Sequence, residues 1–151
     1  MADLFYERNH LKDANVQLDK VLVMCNSSKH VSMWVPGVIL QAKMLKAIGH
    51  VEDAAEVLQT AIAELKQYHS PGRERLLEAA YIRIQFSQGL LSSGDEWLTK
   101  RHISANDKPN VAREYEQITL ARMLMARQAY QKLEVKNRVQ AVSKIKEKHL
   151  L

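Results

Sequence analysis

The sequence predicts an all-α fold of about four antiparallel helix pairs, and three observations point there. The 151 residues include only 5 Gly and 3 Pro, too few breakers for a strand-rich chain of this length. Apolar residues recur at helical spacing, as in Leu11, Ala14, Leu18, Val21 and Leu22. A frame of turn residue, small residue and apolar residue returns at a spacing of 40 positions.

The frame is clearest when Tyr6–Ala14 is set against Lys46–Ala54. Asn9 and Gly49 take the turn, Ala14 and Ala54 the small position, Leu18 and Leu58 the apolar one. Upstream of each turn, Ala2 matches Ala42 and Phe5 matches Leu45. A third copy has Gly89, Gly94 and Leu98, with Ile82 upstream. A fourth, weaker copy places Gln128 at the turn, with Ala121 and Leu124 upstream and Leu133 where a small residue belongs. Two helices joined by a short turn approach closely only where side chains are small, and one such hairpin cannot bury both faces. Neighbouring hairpins therefore stack on a shared core.

Each helix follows from this frame. The first ends before Asn9, and Met1 falls partway along it. The second runs over about 11–25 and stops at Asn26-Ser27-Ser28. The third starts at Pro36, a residue suited to a first turn, and reaches Ile48; the alternative is an earlier turn from Val31, kinked at the proline. The fourth covers 51–68, and Ser70-Pro71-Gly72 breaks the chain before a fifth over 73–88. The sixth spans 90–101, and a polar loop with Pro109 leads to a seventh over 111–127 and an eighth over 130–149. The repeats are thus 1–28, 29–70, 71–108 and 109–151 of a single domain.

Composition bounds the rest. No apolar run is long enough to span a bilayer, and the N-terminus lacks the basic start and apolar stretch of a signal peptide. A cytoplasmic location is expected, and the single Cys25 fits a reducing compartment. The net charge of +5 is uneven. Residues 1–121 carry 14 Lys+Arg against 15 Asp+Glu, whereas residues 122–151 carry 8 against 2. The basic residues Arg127, Lys132, Lys136, Arg138, Lys144, Lys146 and Lys148 raise nucleic-acid binding as one reading. Against it, Leu133, Val135, Val139, Val142 and Ile145 form a packing stripe, and no aromatic interleaves the charges.

Catalytic and metal chemistry find no constellation. No two of the six His lie three or four apart, and none joins a Cys or carboxylate in a metal pattern. Cys25 lacks motif context and reads as a small packed residue. Glu52-Asp53 and Asp95-Glu96 start helices, where acids complement the helix dipole. Trp34 and Trp97 read as packing residues, Met33, Met44, Met123 and Met125 mostly as core filler, and no cofactor is expected.

The frame resembles the tetratricopeptide repeat, which implies a right-handed superhelix built from these pairs. The strings Tyr6-Glu7-Arg8-Asn9-His10-Leu11, Gly94-Asp95-Glu96-Trp97-Leu98 and Arg113-Glu114-Tyr115-Glu116-Gln117-Ile118-Thr119-Leu120-Ala121-Arg122 are more specific. They are similar to the helical-repeat region of large LuxR-type transcriptional activators of the maltose-regulator class. That resemblance implies a larger regulator, with an ATP-binding module before the repeats and a DNA-binding helix-turn-helix after them. The repeats would sense an inducer or a partner protein. The chain itself carries neither a Gly-x4-Gly-Lys-Ser/Thr loop nor a helix-turn-helix string, so it reads as a fragment of such a regulator. A free-standing tetratricopeptide adaptor is the alternative.

In such a stack the first helices of successive pairs line the concave surface. The repeat frame then puts Asp3, Lys43, Arg83 and Arg122 in one row and Tyr6, Lys46, Phe86 and Met125 in the next. A basic row beside an apolar one suits a peptide or protein partner or a small anionic effector. No direct nucleic-acid contact and no membrane contact are expected. Self-association is expected through bare apolar surface at Leu4 and Phe5.

Overall fold

A computed structural model of the chain describes residues 2–7, 10–28, 30–90 and 92–132. It contains α1 (Ala2–Glu7), α2 (Leu11–Ser28), α3 (Val31–Ala47), α4 (Val51–Leu65), α5 (Pro71–Ser87), α6 (Ser92–Arg101) and α7 (Glu114–Lys132). Short 3-10 turns extend α4 over Lys66–Tyr68 and precede α7 over Val111–Arg113. Among the described residues there is no strand. The fold is all-α, as the sparse breakers and helical periodicity require. The chain divides into two compact units, Met1–Glu78 and Ala79–Leu151, with the division inside α5.

In the first unit α1 packs on α2, α2 on α3 and α3 on α4. Ala2, Ala14, Leu18, Leu40 and Met44 form a core cluster, with Tyr6 and Leu22 at its edge. The two small-position residues, Ala14 and Ala54, are fully buried. Gly37 of α3 also faces α2, where a Cβ would stand 3.0 Å from the terminal Leu22 Cδ2. The turn from α3 to α4 is a Schellman motif. Gly49 takes φ 92°, its N–H donates to the Lys46 carbonyl at 3.0 Å, and the His50 N–H donates to the Leu45 carbonyl at 2.9 Å.

The second unit repeats the device. Gly89 takes φ 80° and donates to Phe86 O at 3.0 Å, while Leu90 N–H donates to Gln85 O at 3.0 Å. The same pair of bonds closes α6, from His102 to Thr99 O at 3.2 Å and from Ile103 to Leu98 O at 3.0 Å. There a histidine at φ 49° stands in the glycine position. The core joins Ala79, Ile82, Phe86, Trp97, Ile103, Leu120 and Met123. Gly94 lets α6 lie against it, since a Cβ would meet the Phe86 ring at 2.6 Å and Met123 Cε at 2.9 Å.

Several boundaries differ from the sequence expectation; α5, for one, starts at Pro71, inside the expected Ser70-Pro71-Gly72 break. Helix α2 continues to Ser28 rather than ending near residue 25. Helix α3 starts at Val31, the alternative that the sequence left open, not at Pro36. The helix is already nucleated when the proline arrives, because Met33 and Trp34 both donate to His30 O, at 3.1 and 3.0 Å. Pro36 withholds only one donor, and its own position is exposed. Helix α7 runs through Gln128 to Lys132, where a turn was expected. Gln128 and Ala129 are good helix formers, and nothing there supplies the positive φ that Gly49 and Gly89 provide. The expected eighth helix beyond Lys132, with Leu133 in its small position, lies outside the described residues. So do the side chains of Asp3, Leu4 and Phe5.

Candidate functional site

The sequence-predicted residues fall into both units. In the first, Tyr6 sits half-buried at the edge of the core cluster, and burial together with the neighbouring Glu7 pushes its phenol above the usual range. Lys43 and Lys46 are half-buried one turn apart on α3. In the second, Arg83 is half-buried on α5, while Arg122 and Met125 are exposed on α7. Phe86 was expected beside them as an aromatic surface, and the structure corrects this. It is 2% exposed and its ring fills the space that Gly94 leaves, so it is a core residue.

Arg83 is the most strongly fixed of the set. Its Nε donates to Thr119 Oγ1 at 2.8 Å and its Nη2 to the Tyr115 carbonyl at 3.5 Å. Its guanidinium lies 3.9 Å from the centroid of the Tyr115 ring, a cation–π contact. Thr119 is fully buried; its hydroxyl accepts from Arg83 and donates back to Tyr115 O at 2.8 Å. Tyr115, Thr119 and Arg122 are spaced i, i+4 and i+7, so they share one side of α7. Arg122 is therefore one turn beyond the residue that holds Arg83. Burial pulls the Arg83 guanidinium below its usual range, Tyr115 opposes this, and the Arg122 charge adds to the lowering.

The string Arg113–Arg122 is largely fastening. Arg113 Nε donates to Glu116 Oε2 at 2.7 Å and its Nη2 to the Arg101 carbonyl at the end of α6 at 2.9 Å. Glu116 is 2% exposed, and its Oε1 has no hydrogen-bond partner among the described residues. Gln117 clamps the preceding loop, donating to Lys108 O at 3.0 Å and accepting from Asn110 N–H at 3.2 Å. Asn110 caps the turn by accepting from Ala112 N–H at 2.9 Å. Leu120 is in the core. Arg127 farther along pairs with Asp95 at the start of α6, which gives that acid an ion-pair partner as well as its place near the helix dipole.

Around these fixed residues α7 leaves two sides open. Ile118, Arg122 and Met125, at i, i+4 and i+7, are all exposed. Next to them Gln117, Leu120, Ala121 and Leu124 line an open cleft of about 280 Å³ with Ser104 and Pro109 of the loop. Of these residues the sequence expectation named Arg83, Arg122 and Met125, and not Tyr115, Thr119 or Ile118. The signal was present in the i, i+4, i+7 spacing of α7, which places Tyr115 and Thr119 with Arg122, and Ile118 with Arg122 and Met125.

The remaining candidates keep structural surroundings. His50 N-caps α4, with its carbonyl accepting from Ala54 N–H at 3.1 Å and its Nδ1 lying 3.0 Å from Asp53 Oδ2. His10 repeats this, with Ala14 N–H donating to its carbonyl at 3.0 Å and its ring 3.8 Å from Asp13. Cys25 and Trp97 are buried, and Trp34 is half-buried. Among the described residues no group of His, Cys, Asp and Glu could hold a metal ion, and no helix is long and apolar enough to cross a membrane.

A search of curated proteins and a search of solved structures each gave no match. A family described as "MalT-like TPR region" matches residues 1–144. Repeats of this type are generally non-catalytic and commonly mediate protein interactions. The alanine and glycine contacts between helices, the recurring glycine turns and that match agree, and the chain belongs to the MalT-like TPR region family.

Proposed function

We propose that the chain is the recognition module of a LuxR-type regulator of the maltose-regulator class, and that it acts by binding a partner segment or an effector rather than by catalysis. The observation that carries this reading is the division of labour along α7. One side is fastened by Arg113, Glu116, Gln117 and Thr119, while Ile118, Arg122 and Met125 are left to solvent beside a fixed Arg83. A helix held this firmly presents its outer residues without further ordering cost, which favours recognition.

Thermal-shift screening of the chain against candidate effectors and partner peptides tests it. A true ligand raises the melting temperature of the native chain and loses that effect in Arg122→Ala. A ligand response unaltered in Arg122→Ala would remove this face from the site. The regulator context has its own test in the reading frame on either side. A phosphate loop encoded upstream or a helix-turn-helix downstream is expected, and flanks with neither would leave a free-standing adaptor.

A further inference from the structure

We infer that the Arg83–Arg122 face of the second unit is a seat for a peptide segment carrying an Asp or Glu side chain with an apolar residue one helical turn away. This rests on the recognition reading above and names its ligand class. The charge on this face is unbalanced. Arg83 spends its Nε–H on a hydroxyl and one Nη2–H on a carbonyl, both neutral acceptors. Neither contact neutralises its charge. Among the described residues no carboxylate pairs with Arg83 or with Arg122. Arg122 lies one turn of α7 beyond Thr119, the residue that holds the half-buried Arg83, and its charge disfavours that of Arg83; a carboxylate bound at this face would offset both charges.

The surroundings narrow the ligand to a peptide. Ile118 and Met125, 40% and 61% exposed, stand one turn before and one turn after Arg122 on the same side of α7. An inorganic anion would leave both uncovered, whereas apolar side chains flanking a peptide carboxylate would cover them. The unbranched thioether of methionine adapts to varied partners. A nucleic acid fits less well. Arg127, farther along α7, is already paired with Asp95, and one face of the Tyr115 ring is occupied by Arg83, so among the described residues neither a basic track nor a free stacking platform continues from the seat.

Selection of displayed random peptides against the whole chain tests the inference, followed by fluorescence polarisation with the enriched peptides. The expected result is enrichment of Asp or Glu spaced three or four residues from Leu, Ile, Met or Phe. Exchange of that acid for its amide, or Arg122→Gln in the chain, should weaken binding about tenfold, the size of one charge-assisted hydrogen-bonded contact. Arg122 is exposed, so Arg122→Gln should melt at the native temperature, and Arg83→Lys keeps the charge while removing the fork. Enriched peptides without acids, or peptides indifferent to Arg122→Gln, would overturn this seat while leaving recognition elsewhere on the chain intact. Inorganic phosphate or free glutamate competing as strongly as the peptides would replace the peptide by a small anion. No enrichment at all would overturn both this inference and the peptide-recognition reading.

Discussion

At Gly94 a single methyl group decides whether α6 can lie against α5. An alanine there gains about 1 kcal/mol of helix propensity, but its Cβ would stand 2.6 Å from the Phe86 ring and 2.9 Å from Met123 Cε, two residues that are fully packed. Overpacking of this kind costs about 1–3 kcal/mol and outweighs the gain. Gly94→Ala should therefore lower stability in urea denaturation by about 1–2 kcal/mol. Gly37→Ala is the control. Its nearest contact is 3.0 Å to the terminal methyl of a half-buried Leu22, which can rotate, so the change should fall within about 0.5 kcal/mol of native or stabilise. Gly94 was legible because the repeat frame demands a small residue there. Phe86 was not. Buried positions on α5 include Leu77, Ala79, Ala80, Ile82, Ile84 and Phe86, which surround the helix, so periodicity offered no exposed side to place it on.

Helix α7 shows the same logic over a whole element. Glu116 is an almost fully buried carboxylate whose charged partner is Arg113. Removing one member of such a pair leaves an uncompensated charge. Arg113→Ala should cost about 3 kcal/mol, and adding Glu116→Gln should recover a measurable part of the loss because the stranded charge is gone. Additive losses in the double variant would show that the pair is not coupled. The string that includes these residues was the most specific feature of the sequence, and what it encodes is largely attachment to α5, α6 and the preceding loop. Its partners lie 9 to 36 residues away, at Lys108, Arg101 and Arg83, so no local pattern could assign them. The α3–α4 and α5–α6 turns were readable because glycine at positive φ marks them. The expected turn at Gln128 had no such residue, and the helix continued.

Over the molecule, charge and helix order point to partner recognition. The net excess of Arg and Lys over Asp and Glu comes from residues 122–151, and in α7 one of those cations is committed to Asp95. Duplex DNA binding with a steep salt dependence, the signature of many phosphate contacts, is therefore not expected of the native chain; a logarithmic salt slope equivalent to several phosphates would revive the basic-helix reading. Helix content and the consecutive packing of α1 to α4 were legible from few breakers, helical spacing and the 40-residue frame. The proposed binding face was only partly legible, because the frame locates a position in the repeat but not the neighbours that bury or free it.

The recognition claim is tested most directly by residue-resolved chemical shifts of the chain titrated with a selected acidic peptide. The account predicts that the largest changes fall on Ile118, Arg122 and Met125 of α7 and on the Arg83 side chain, with α2–α4 unmoved. Changes confined to α2–α4, or absent at Arg83 and Arg122 at saturation, would contradict it.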